Sequence, residues 1–193
     1  MKILLFLAKG FETMEASVFI DVMGWARNDY HYDVDVVTCG FQKTATSAFN
    51  VPVTVDVLLK DISVEEYDAL AIPGGFEEFG FYEEAFSKEL ADIIRKFNDK
   101  NKMIATVCVG ALALGHSGIL TGKKATTYHL NNGQRQKQLA EYGVEIVNLP
   151  VVKTDNIITS YCPQTAPEVA FALLENLIGS EKTKIVKTAM GFE

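Results

Sequence analysis

Short runs rich in Val, Ile and Leu near residues 3–8, 34–39, 68–72 and 103–107 alternate with stretches of helical apolar spacing near 13–27, 86–99, 109–116 and 165–178. The strand runs are apolar on both faces, so neither face can be left to water. Only a parallel sheet with helices packed above and below buries both. The expected class is therefore α/β, a mostly parallel sheet with helices on both faces. Between the second and third strands, Thr44 to Leu59 reads as a β-hairpin insertion turning at Asn50, with Pro52 confining one arm to an edge position. Such an insertion covers a sheet edge or meets a partner subunit. Later, Val144 to Val152 and Asn156 to Ser160 read as two strands around Lys153-Thr154-Asp155-Asn156, a turn by composition. Ser180 to Glu193 reads as a C-terminal strand or tail packed on the body.

The 193 residues, 48% of them hydrophobic, supply one well-buried core and are few for two, so a single domain over 1–193 is expected. A formal charge of −7 with no Lys/Arg cluster argues against nucleic acid as a partner. The opening run Met1 to Ala8 is cut by Lys9 and Glu12 too early for a signal peptide, and no longer apolar run spans a membrane. A cytoplasmic protein is expected. Cys39, Cys108 and Cys162 are odd in number, widely separated and free of C-x-x-C spacing, which fits reduced thiols better than disulfides or zinc. No metal or cofactor is expected: the loop after the first strand carries one Gly, too few for a dinucleotide or phosphate loop, and a flavodoxin-like flavin site, the alternative, lacks its Ser/Thr-rich first loop.

Ligands of open α/β sheets bind outside the carboxyl ends of the strands. Those ends hold Lys9-Gly10-Phe11-Glu12-Thr13-Met14-Glu15, Pro73-Gly74-Gly75, Cys108 and, after the 125–128 segment, His129. Cys108 lies between the apolar run Met103 to Val107 and the small-residue helix that begins Val109-Gly110-Ala111. That is the layout of a nucleophile elbow, with Thr106 in the first Gly place and Gly110 where strand and helix approach closely. A helix N-terminus favours thiolate over thiol, so a reactive, ionised Cys108 is expected; the competing reading is a small core residue.

Taken together, Leu7 to Glu15, Ile72-Pro73-Gly74-Gly75, Ala105 to Gly110 and Thr159 to Gly179 resemble the DJ-1/ThiJ/PfpI superfamily, of the class I glutamine amidotransferase-like kind, nearest its DJ-1 branch. The resemblance implies a flavodoxin-like three-layer sandwich, usually a homodimer. It also implies Cys108 as reactive thiol, Glu15 as the carboxyl beside it, and Gly75 and Val109, next to Gly74, as backbone N–H donors to a developing oxyanion. The implied substrates are small reactive carbonyls, 2-oxoaldehydes above all, in glyoxalase or deglycase chemistry.

An ionised Glu15 would repel a thiolate and raise both pKa values, so only a protonated carboxyl helps, donating to sulfur and later moving protons. The competing reading of Glu15 is an ordinary first-turn carboxylate. The base is less settled. His31 precedes the second strand and His116 lies about 12 Å along the helix from Cys108, leaving His129. The family's Thr-Thr-His run is here Thr126-Thr127-Tyr128, with His129 one residue late. In an extended strand that offset turns the side chain to the other face, so Tyr128 is the expected pocket group and His129 a possible base. Val109 stands where PfpI-like members have His, and Tyr161 and Asn50 fall where the DJ-1 branch has Arg, which weakens the case for anionic substrates. Cys162 is either a second thiol near the site or a small residue buried in a turn, and Cys39 is core. Of the Phe76, Phe79, Phe81 and Phe86 cluster, packing is the default and a pocket wall the alternative. The second functional class is a redox-responsive Cys108 with a chaperone-like or regulatory role; isonitrile hydratase and cysteine peptidase rank below.

Overall fold

The computed structural model describes residues 1–192. In chain order the elements are β1 (Lys2–Phe6), α1 (Thr13–Asn28), β2 (Asp35–Gly40), β3 (Thr44–Thr46), β4 (Pro52–Thr54), β5 (Val57–Leu58), β6 (Ala69–Ile72), α2 (Phe81–Ala85), α3 (Lys88–Asp99), β7 (Met103–Thr106), α4 (Gly110–Ser117), β8 (Lys124–Ala125), α5 (Leu130–Glu141), β9 (Glu145–Ile146), β10 (Val151–Thr154), β11 (Ile157–Ser160), α6 (Ala166–Ile178) and α7 (Ser180–Ala189).

Seven strands form the main sheet in the order β10-β11-β7-β6-β1-β2-β5. Every pairing is parallel except that of β10 with β11 at one edge. Ile3, Leu4, Leu5 and Phe6 of β1 and all of β6 are buried, because α1, α6 and α7 pack together over one face and α3 and α4 over the other. The doubly apolar strands thus have the two helical layers they require, in the flavodoxin-like arrangement. Among the described residues, no helix is long and apolar enough to cross a membrane.

Four expectations need correction. Val144 to Val152 is not one strand: Glu145–Ile146 pairs with β8 in a separate small sheet, and the main-sheet strand begins only at Val151. The hairpin is shorter than Thr44 to Leu59: β3 and β4 pair antiparallel around Asn50, whose φ is 61°, but Val57–Leu58 leaves the hairpin and joins β2 in parallel at the sheet edge. The late turn is also shorter, since Lys153 and Thr154 are still in β10 and the chain reverses at Asp155, φ 52°. The segment after Gly179 is not a strand or tail over residues 180–189 but helix α7, which buries Thr183 and Val186, three residues apart on one helical face. Glu193 lies outside the described residues.

The strands β7, β6 and β1 are neighbours and all parallel, so their carboxyl ends lie side by side. From β1 the chain moves to β2 on one side, and from β6 to β7 on the other. That reversal opens a crevice at the β1/β6 boundary, and the loops after β1, β6 and β7 line it.

Candidate active site

Cys108 sits in the turn from β7 to α4 with φ 55°, a left-handed conformation that a non-glycine residue adopts only under constraint from its surroundings. Two contacts supply that constraint. The Thr127 hydroxyl donates to the Cys108 carbonyl at 2.8 Å, and Gly110 lies so close to β6 that a Cβ there would stand 2.5 Å from the Ile72 carbonyl oxygen. The elbow expected between strand and helix is therefore present, and Gly110 is there for close approach. The thiol is 8% exposed and opens on a cavity of about 610 Å³.

Glu15, in the first turn of α1, is fully buried beside Cys108. The Gly74 N–H donates to its Oε2 at 2.6 Å, while Oε1 has no partner of its own. Burial pushes the carboxyl up to about 8; the Gly74 N–H and Cys108 thiol oppose this and the Glu12 charge adds to it. Glu15 is therefore protonated at neutral pH, with a proton to direct at sulfur. Glu12 lines the cavity one helical turn away, its own pKa raised by burial.

The thiolate expected of a helix N-terminus is not what this site favours at rest. Burial raises the Cys108 thiol well above its ordinary range and an ionised Glu15 adds to that, while the Val109 N–H pulls it down. Desolvation of the charged form outweighs one backbone donor. Burial thus favours the neutral form of both the thiol and the carboxyl beside it, and the titrations of two such neighbours are coupled.

The glycines divide their work. Gly74 is committed to Glu15 rather than to substrate. Gly75 bridges Phe11 through bonds from Glu12 N–H to the Gly74 carbonyl and from Phe76 N–H to the Gly10 carbonyl, which leave the Gly75 N–H outside the pairing. A Cβ on Gly75 would stand 2.3 Å from the Phe81 ring and 2.4 Å from the Gly10 oxygen, so packing requires glycine here. Gly75 and Val109 both line the cavity with Cys108.

Tyr128 and His129 line it together, contrary to the expectation of opposite faces. The chain leaves extended structure after Ala125, and His129, with φ −104° and ψ −13°, is the N-cap of α5, so strand alternation no longer applies. Its Nδ1 lies 3.4 Å from Cys162 Sγ and its ring stacks on Tyr161 at 4.1 Å between centroids. The imidazole thus serves the second thiol. Burial raises the Tyr128 phenol. Asn131, Asn132 and Gly133 follow, all left-handed, and turn the chain at the cavity rim.

Sequence reasoning missed Arg135, which reaches the cavity from α5. It donates to Glu77 at 2.6 Å and lies over the Tyr82 ring, so the cation is largely neutralised. No local motif betrays it, since its ion-pair partner Glu77 lies 58 residues away in sequence. Asn50 does not line the cavity. Of the phenylalanines, Phe76 forms a wall, Phe79 packs on it at the exposed rim, Phe81 is core, and Phe86 stacks on Tyr82. Cys39 is fully buried in β2.

A family model described as the DJ-1/PfpI family matches residues 1–176. Protein DJ-1 homolog B of Arabidopsis thaliana is 31% identical over 94% of the chain, which spans only 39% of that relative's length. A Pyrococcus horikoshii protein named deglycase PH1704 is 31% identical over 84% of the chain and 91% of its own. The crystal structure of Drosophila melanogaster DJ-1beta superposes with a TM-score of 0.87 at 27% identity, over 100% of this chain and 98% of that one.

Proposed function

The chain belongs to the DJ-1/PfpI family, and from that premise we propose that Cys108 adds covalently to small reactive carbonyl compounds, 2-oxoaldehydes in the first place, and converts them to hydroxy acids without a cofactor. The observation that supports this most is the pairing of a constrained, cavity-facing thiol with a carboxyl protonated at neutral pH. The name of the Pyrococcus relative points the same way.

In this reading Sγ bonds the aldehyde carbon, the thiol proton passes by way of Glu15 to the carbonyl oxygen, and a hemithioacetal results. The Gly75 and Val109 N–H groups face the developing negative charge, where loss of one such donor typically costs about 3 kcal/mol. A proton then leaves the former aldehyde carbon and returns to its neighbour through an enediol. Glu15, once it has released its own proton to solvent, is the group suited to take and return it, because a carboxyl near pKa 8 holds and releases a proton with little bias. The thioester so formed is cleaved by water, giving the hydroxy acid and free thiol.

The test is turnover of methylglyoxal by the wild type, Cys108→Ser and Glu15→Gln. Lactate formation that both substitutions abolish supports the reading, and no turnover by the wild type sinks it. One observation favours the redox-responsive alternative: the His129 ring nitrogen contacts Cys162, not Cys108, so carbon-proton transfer has fewer groups to draw on. Selective addition of two oxygens to Cys108 without turnover would support that alternative.

We further infer a cytoplasmic single-domain homodimer. Exposed Met14, Phe49 and Val51 lie where the hairpin joins the start of α1 through the Ala48 N–H to Phe11 carbonyl bond, and a second copy covering them accounts for that apolar surface. Sedimentation as a monomer at micromolar concentration would rule it out.

A further inference from the structure

Carbonyl chemistry at Cys108 leaves one nucleophile of the cavity without a task. Cys162 is 7% exposed, lines the same cavity and sits in extended backbone just before the turn Pro163–Thr165. Its own carbonyl accepts from the Thr165 hydroxyl at 2.7 Å and the Thr165 N–H at 3.0 Å, so its position is fixed. The sulfur has His129 Nδ1 at 3.4 Å, and Tyr161 stacked on the imidazole holds the ring in that orientation.

The sheet brings the two thiols together. Strands β7 and β11 are parallel neighbours in the register Ala105 to Ile158. Cys108 is three residues beyond Ala105, and Cys162 is four beyond Ile158, so both leave the same end of adjacent strands that run about 4.8 Å apart. Each thiol lies close enough to Glu15 to feel its charge, and Cys108 feels that of Cys162. Disulfides form at Cα separations of about 4.4–6.8 Å, the approach that the two turns must make for the thiols to bond.

We propose that Cys162, with His129 as its base, resolves oxidised Cys108, so that the pocket reduces hydroperoxides as a two-thiol centre. The oxidant is a hydroperoxide: Cys108 Sγ takes its terminal oxygen to become sulfenic acid, and the alcohol or water leaves. Cys162 Sγ then attacks the Cys108 sulfur while His129 Nδ1 takes the thiol proton. The S–S bond forms as the S–O bond breaks, and the hydroxyl departs as water with that proton. An external dithiol returns both cysteines to thiols. This inference goes beyond the carbonyl reading and does not depend on it.

The test is one equivalent of hydrogen peroxide on reduced protein, followed by intact mass and peptide mapping. The expected product has lost two hydrogens, carries a Cys108–Cys162 cross-link within one chain and is restored by dithiothreitol. Cys162→Ser should instead stop at one added oxygen on Cys108 and take a second only when a further equivalent of peroxide is given. His129→Gln should slow cross-linking roughly a hundredfold at neutral pH, with recovery as pH rises and the thiol ionises unaided. A merely structural histidine would not give that pH recovery. The proposal is overturned if the wild type gains oxygens at Cys108 while Cys162 stays alkylatable, if Cys108 stays unmodified, or if the cross-link maps to Cys39 or between chains. The wild-type product alone decides among these, so a variant that fails to fold does not remove the test.

Discussion

The Thr127 hydroxyl and the Cys108 carbonyl, 2.8 Å apart, tie the unsupported stretch after β8 to the strained turn that carries the thiol. Thr126 is held in turn, its N–H donating to the Thr159 hydroxyl of β11 at 3.0 Å. Thr127→Val should leave the buried Cys108 carbonyl without that donor and cost about 1–3 kcal/mol in urea unfolding. Thiol alkylation of the folded variant should be faster as well, since the elbow loses one of its two constraints. Unchanged stability and unchanged alkylation would show that the bond does not hold the turn.

Left-handed backbone at Cys108 makes a further comparison informative. Cys108→Gly should be more stable than Cys108→Ala by about 1 kcal/mol, because a Cβ at φ 55° is strained and glycine is not. Equal midpoints in denaturant would mean that the turn relaxes when the sulfur is gone.

Glu15 predicts a pH dependence of known sign. Its carboxyl titrates near 8 when folded, against an ordinary 4.5, so between those values the folded chain holds a proton that the unfolded chain has released. The stability contributed is complete below pH 4.5 and declines as pH rises towards 8, by about 1.4 kcal/mol per pH unit across that window. Glu15→Gln keeps an acceptor for Gly74 and an N–H for sulfur but cannot ionise. Its stability relative to wild type should therefore climb over the same window, and parallel curves would refute a protonated Glu15.

Gly110→Ala places a Cβ 2.5 Å from the Ile72 oxygen, with the Pro73 carbonyl oxygen at 3.2 Å. Backbone atoms cannot give way as a flexible side chain can. A loss of about 1–3 kcal/mol is expected, together with slower thiol chemistry as α4 is pushed off β6. Wild-type alkylation rates in this variant would show that helix and strand can separate without disturbing Cys108.

What could be read in the sequence was mostly local in the chain. The doubly apolar strands specify a covered parallel sheet, and Cys108 between an apolar run and Val109-Gly110 specifies an elbow, because each property depends on a few adjacent residues. The pairing of Glu15 with Cys108 joins residues 93 positions apart in a chain of 193 and came from resemblance, not spacing. The destination of His129 was hidden for a physical reason: alternation holds only while the chain is extended, and β8 ends at Ala125. The burial that opposes ionisation of the Cys108 thiol was not legible, because helix-end polarity is visible in a sequence and burial is not. Helix α7 escaped notice because its buried contacts are few, Thr183 and Val186 in a mostly polar stretch.

The parallel order of the main sheet also bears on when this site comes into being. Glu15 arrives from the beginning of the chain and Thr159 from near its end, while the thiol they serve lies between them. Pairings between segments so far apart in sequence form slowly, so the pocket should be among the last features completed as the chain matures. Until then Cys108 has neither its acid nor its constraints. A newly made molecule passes through an interval in which this thiol is an ordinary one, and the time at which it stops behaving so marks the completion of folding.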